Sequence, residues 1–302
     1  MIRVLAALAV VLAAVAAVDG SRAAFTASAQ NAGASFATAS DWVAPAVTIA
    51  APASGASTND STPTISGAAS NASGDSSTIT VRVYSGTSAS GSPVQTKTTT
   101  RVATAWGTTA STLADGTYTV QASQADGSGN TGTSPEVTFI VDTVAPTATA
   151  IAAANKGGAG TTAGKLDAGD TITFTFSEPI DPATILSGWN GSSTAVQVRF
   201  TNSSSNDTFT VLNSSGGTTV KLGTVTTGGN YVTTTTTIGS STMVRSGDGK
   251  SIVVTLGTPS NVSSAVSAKN MSWALAAGPK DLAGNALATP ATRAETDTDV
   301  DF

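Results

Sequence analysis

The sequence predicts an all-β chain: two tandem immunoglobulin-like β-sandwich domains, the second one enlarged by an insertion. Charged residues make up 11% and aromatic residues 5% of the 302 positions. Ser, Thr, Gly and Ala fill long stretches, so helices are starved of Glu, Lys and Leu while Thr and Val favour strands. Short runs alternate apolar with polar residues between Gly, Asn, Asp and Pro turns. Finally, Asp41-Trp42-Val43-Ala44-Pro45-Ala46-Val47-Thr48 is echoed by Asp142-Thr143-Val144-Ala145-Pro146-Thr147-Ala148-Thr149. The spacing is about that of one immunoglobulin-type sandwich.

The chain begins with a positive Arg3, an unbroken run of Ala, Val and Leu from Val4 to Val18, and small residues in Ser21-Arg22-Ala23. This pattern reads as a signal peptide over residues 1–23. The run is shorter than the roughly 20 residues that span a bilayer, so cleavage and export are expected, with an uncleaved anchor as the other reading. After cleavage no integral membrane segment is expected, and no hydrophobic anchor or sorting signal is read near Asp301-Phe302, so the protein is expected to be secreted or held at the cell surface by non-covalent contacts.

Residues 24–43 form a linker, residues 44–142 the first sandwich and residues 143–302 the second. In the first, Ile79, Val81 and Val83 alternate with Thr80, Arg82 and Tyr84, as do the runs around Tyr118, Val120, Ala122 and Val137, Phe139, Val141. Leu113-Ala114-Asp115-Gly116-Thr117-Tyr118 has the form of a tyrosine corner. In the second, Ile172, Phe174 and Phe176 define a strand that stops at Glu178-Pro179. Asp181-Pro182 is a fitting N-cap and first turn for a short helix through Leu186. Further strands are expected at 196–200, 208–212, 252–256 and 271–275. The Ser/Thr/Gly-rich stretch of about 187–247 is read as extra hairpins or a mobile insertion.

Composition also excludes chemistry. There are 14 basic and 19 acidic residues, and removal of Arg3, Arg22 and Asp19 with the signal peptide leaves 12 and 18. No basic stripe remains to neutralise phosphates, so nucleic acid is not an expected partner. The absence of Cys and His removes disulfides, thiolate chemistry and the commonest general base and transition-metal ligand. No Gly-x-Ser-x-Gly elbow is present. The chain is therefore read as a protein that is not an enzyme. Glu178 and Asp181 could be taken as a glycosidase pair, but a strand end and a helix cap account for them.

The chain resembles known families through specific stretches. Asp115-Gly116-Thr117-Tyr118 and Asp126-Gly127-Ser128-Gly129-Asn130 make the first domain look like the bacterial Ig-like domains of surface adhesins. Residues 172–181 and Asp281-Leu282-Ala283-Gly284-Asn285 make the second similar to the SbsA-type Ig-like domains of surface-layer and cell-wall proteins. Ala24 to Phe36, ending at Asp41-Trp42, resembles the mature start of surface proteins processed by SipW-type signal peptidase. The resemblance implies stalks, spacers, adhesive modules or accessory domains.

Two sets of residues are candidates for binding. The paired turns place Asp126 and Asn130 beside Asp41, and Asp281 and Asn285 beside Asp142, at the poles where strands enter. Such residues satisfy turn backbones. As oxygen donors they are also candidate calcium ligands between domains, a use of calcium that the adhesin resemblance implies. Trp189, in a Gly/Asn loop, is the candidate ligand contact, whereas Trp42, Trp106 and Trp273 read as core residues. The acidic row Glu295, Asp297, Asp299, Asp301 reads as the outward face of a last strand. The function expected is a structural or adhesive module at the cell surface, with a surface protein, a glycan or a second copy as partner. The alternative is a carbohydrate-binding or accessory module of an extracellular enzyme system.

Overall fold

Alternation of buried and exposed residues sorts the chain into two separate hydrophobic cores, one formed within residues 47–141 and the other within 148–302. The computed structural model describes residues 42–288, 292–296 and 300–302. The signal-peptide reading, most of the linker, Asp41, Asp297 and Asp299 lie outside the described residues.

The first core lies between two sheets. Its strands are β1 (Val47–Ala51), β2 (Ser57–Thr58), β3 (Thr64–Ala69), β4 (Asp75–Ser85), β5 (Gln95–Thr100), β6 (Ala105–Thr109), β7 (Gly116–Asp126), β8 (Thr131–Thr133) and β9 (Val137–Val141). One sheet has the order β1-β3-β6 and the other β2-β9-β7-β4-β5, with β8 pairing β7. Ile79, Val81 and Val83 of β4, Val120 and Ala122 of β7, and Phe139 of β9 are sealed from solvent, facing Ile65 and Trp106 of the smaller sheet. Their alternation with polar residues is what a two-layer sandwich needs. The Tyr118 hydroxyl donates to the Ala114 carbonyl at 3.0 Å, closing the expected tyrosine corner. The short β2 runs parallel to β9, Ser57 opposite Ile140 and Thr58 opposite Val141.

The second core is enclosed by one sheet. Its strands are β10 (Ala148–Ala154), β11 (Thr171–Phe176), β12 (Thr194–Thr201), β13 (Thr208–Asn213), β14 (Thr219–Thr226), β15 (Thr236–Arg245), β16 (Ser251–Thr255), β17 (Ser272–Ala274) and β18 (Thr292–Ala294). Their order is β10-β11-β16-β15-β12-β13-β14-β17-β18. The sheet folds over on itself: Trp273 of β17 meets Phe174 and Phe176 of β11 edge-on, with centroids 5.0 and 5.5 Å apart. Of the two readings of residues 187–247, extra hairpins describe them, because β12 to β15 are integral strands and Val196, Val198, Phe200, Phe209 and Val220 belong to the core. Low average hydrophobicity hid this. Thr on the outer face still alternates with Val and Phe within.

The helix α1 (Pro182–Ile185) follows its cap, with the Ala183 N–H donating to Asp181 Oδ1 at 3.0 Å. One expectation fails at the end of the chain. Glu295 and Asp301 do not face outward; both are buried, and the Met271 N–H donates to Glu295 Oε2 at 3.0 Å. The last strand ends at Ala294, so its alternation does not extend through the acidic row.

Candidate metal centre at the joint between the sandwiches

β9 delivers the chain to the joint at Asp142, and β10 leads away from it. Around this crossing the two sandwiches exchange hydrogen bonds. The Asn59 N–H donates to the Ala283 carbonyl at 3.1 Å, and the Asn285 side-chain amide donates to the Asp142 carbonyl at 2.8 Å. On the first sandwich, Asp115 Oδ1 accepts from the N–H and hydroxyl of Thr143, both at 2.9 Å, pinning the linker just after Asp142.

Asp281 opens the turn that meets this linker. Its Oδ1 accepts from the N–H groups of Gly284 (2.7 Å) and Asn285 (2.9 Å), and its Oδ2 from the Asn285 amide at 2.7 Å. Gly284 adopts φ +97°, a conformation that a side chain would disfavour. These bonds make Asp281 a turn-former. They also hold its carboxylate, only 3% exposed, against the linker.

One carboxylate oxygen from each of Asp142, Glu178 and Asp281 lies within 4.8 Å of the other two. Glu178 Oε1 is buried without a hydrogen-bond partner. Burial, followed by the nearby Asp142 and Asp281 carboxylates, raises the Glu178 pKa above its ordinary value, with Lys250 opposing in part. The donor set suits a hard cation. Calcium binds oxygens at about 2.3–2.6 Å, so its ligands can lie up to about 5 Å apart. An orphaned oxygen inside a ring of like charge is the kind of group such an ion would satisfy.

The turn at the far end of the first sandwich repeats this design. Asp126 Oδ1 accepts from the N–H groups of Ser128 (2.9 Å) and Asn130 (2.8 Å), and its Oδ2 from the Asn130 amide at 2.7 Å. Gly129 adopts φ +93°. Chiefly through the Asn130 side chain, these bonds lower the Asp126 pKa. Residues 47–143 match the family model of the bacterial Ig-like domain.

This Ig-like match covers the first sandwich and the start of the linker, taking in the Asp126 turn and stopping at Thr143. No curated protein matches the sequence. Among solved structures, the fibronectin(III)-like modules of Clostridium thermocellum CbhA are similar, with 14% identity over 55% of this chain and 84% of that one, at a TM-score of 0.27.

The fold brings together three of the expected calcium residues, Asp142, Asp281 and Asn285. Asn285, however, presents its amide nitrogen to Asp142 and Asp281, so it acts as a latch. Glu178 occupies the third acidic position. Its neighbour Asp181 caps α1 as expected, whereas Glu178 reads in the sequence only as a strand end. The missed signal was register: the Ser177 N–H donates to the Thr147 carbonyl at 2.8 Å, putting the next residue beside the linker. At the Ig-like domain's outer pole, Ser70 donates equivalently to Ala46 at 2.9 Å, and the residue that follows is Asn71. Asp75 lies opposite Asp126 in the β4–β7 ladder, but among the described residues no third carboxylate gathers with them as at the joint.

Trp189 is largely enclosed. It is only 6% exposed, belongs to the second core, and its indole N–H donates to the Ser192 carbonyl at 2.6 Å. Trp189 and its loop border a cleft of about 250 Å³ lined also by Leu186, Gly188, Asn190, Ser192 and Thr194. Of the four tryptophans, the exposed one is Trp42.

Proposed function

We propose that this chain is a structural or adhesive module working outside the cell, in which two sandwiches are joined into one stiff unit and no reaction is catalysed. The observation that carries this reading is the latched crossing at Asp142, where hydrogen bonds from Asn59 and Asn285 fix one sandwich against the next. A stalk or spacer needs such a joint. The bacterial Ig-like match supports the module class, and the similarity of residues 172–181 to SbsA-type domains favours a cell-wall or surface-layer setting. Export rests on the signal-peptide pattern of residues 1–23. No helix among the described residues is long and apolar enough to cross a membrane.

Surface labelling of intact producing cells, with fractionation of the medium, tests this reading. The protein is expected in the medium or on the outer surface. Recovery of intact protein from the cytosol alone would overturn it.

Within that reading, calcium is the ion for the joint, held by carboxylates of Asp142, Glu178 and Asp281. A ligand bound only by the folded state stabilises it by about 2.7 kcal/mol at a hundredfold excess over Kd. Calcium is expected to raise the thermal midpoint relative to chelator in the parent protein, and to leave an Asp142→Ala, Glu178→Gln double variant unchanged. An equal shift in both would remove the ion from this joint.

A further inference from the structure

The poles of the two sandwiches that lie away from the joint carry complementary surfaces. At the outer pole of the first sandwich lie the two most exposed large hydrophobic residues of the described chain, Trp42 (81%) and Val102 (79%). Trp42 enters this pole ahead of β1, and Val102 lies in the turn between β5 and β6. The Asp126 turn closes the same pole after β7. Its carboxylate is held ionised by the Asn130 contacts. Among the described residues at this pole, Arg101 is bonded to the carbonyls of Asp75, Ser76 and Ala103.

At the opposite end, beyond β10 and β16, a cleft of about 330 Å³ is lined by Lys156 and Lys165 over a floor that includes Leu166, Pro259 and Val262. This volume falls within the range of about 300–1,000 Å³ typical of binding clefts. Asp167 also lines the cleft, its Oδ2 accepting from the Thr162 N–H, while buried Asp170 accepts from the Lys156 and Asp167 N–H groups. With two ammonium groups against one carboxylate, the cleft keeps a net positive charge over an apolar base, which suits an indole and a carboxylate.

We propose that the outer pole of one molecule docks into the lysine cleft of a second copy, with Trp42 as the knob and Asp126 facing Lys156 and Lys165. The contact is heterologous, head to tail, so repetition gives an open filament unless the rotation closes a ring. A central Trp flanked by opposite charges is a common form of binding hot spot. The inference rests on the structural reading of the chain and does not require a cation at the joint.

Sedimentation velocity of the purified mature protein, from Ala24 onward, over a concentration series, with calcium and with chelator, provides the test. The parent is expected to associate progressively. Trp42→Ala alone and a Lys156→Glu, Lys165→Glu double variant alone should each weaken association at least tenfold. Mixed in equal amounts, they retain one working head and one working tail, and should form dimers and nothing larger. Thermal unfolding checks both folds. Because the Lys156 stem packs against Gly169, Lys165→Glu alone replaces the double variant if the latter unfolds early. A parent that stays monomeric, association that neither change weakens, or a mixture without dimers would overturn the proposal. Cytosolic recovery of a protein that still associates this way would remove the extracellular reading and leave the interface standing.

Discussion

The Asp126 and Asp281 turns have nearly the same internal hydrogen bonds, yet their surroundings give them different work. Asp126 stands at the outer pole, where Asn71 takes the position equivalent to Glu178. Asp281 is buried against the linker, where Glu178 and Asp142 crowd its carboxylate. A turn motif fixes local shape, while the neighbouring module decides whether its charge becomes a liability or a ligand.

The largest expected difference between the poles comes from removing the two turn acids. Asp281→Ala strips acceptors from the Gly284 and Asn285 N–H groups at a buried site and should cost about 2–3 kcal/mol in denaturant unfolding. Asp126→Ala at the exposed pole should cost clearly less. Equal losses would mean that the joint adds nothing to the turn.

Acidification should separate the poles by sign. The raised pKa of Glu178 means that the folded state binds its proton more tightly than the unfolded chain does, where the ordinary value is 4.5. Its favourable contribution is thus fully present below pH 4.5 and is lost as pH rises through the folded value. Asp126, with its pKa lowered from 3.8, contributes in the opposite sense: its stabilisation is present above pH 3.8 and disappears as pH falls through the folded value. In chelator, Glu178→Gln should flatten the first slope and Asp126→Asn the second. Unfolding titrations that show no change in either window would break the comparison.

The smallest effect expected is that of Asn285→Ala, which removes the latch to Asp142 for about 1 kcal/mol. It should also loosen the angle between the sandwiches, read by small-angle scattering. An unchanged distribution of dimensions would assign the joint's stiffness to the Asn59 contact instead.

Much of this architecture was legible because it follows from local rules. Residue alternation located the strands, Tyr118 marked its corner and Asp181 its cap. The second Asp-x-Val-Ala-Pro copy, at 142–146, falls between the two cores. What escaped depended on neighbours distant in sequence. Glu178 acquires its role from the register of β11 against the linker, and Trp189 packs into the second core. Glu295 and Asp301 look like an alternating exposed row, but the chain leaves the strand before reaching them.

The parallel pairing of β2 with β9 has a mechanical consequence. β9 leads directly to the joint, while β2 belongs to the amino-terminal end of the same sandwich. Tension applied between the two ends would draw these strands in opposite directions along their length. Their hydrogen bonds lie across the strands, so they would be loaded in shear and must yield together instead of opening one at a time. A brace of only two residues, placed where the pulling line enters the sandwich, is thus positioned to resist force before the larger sheets begin to part.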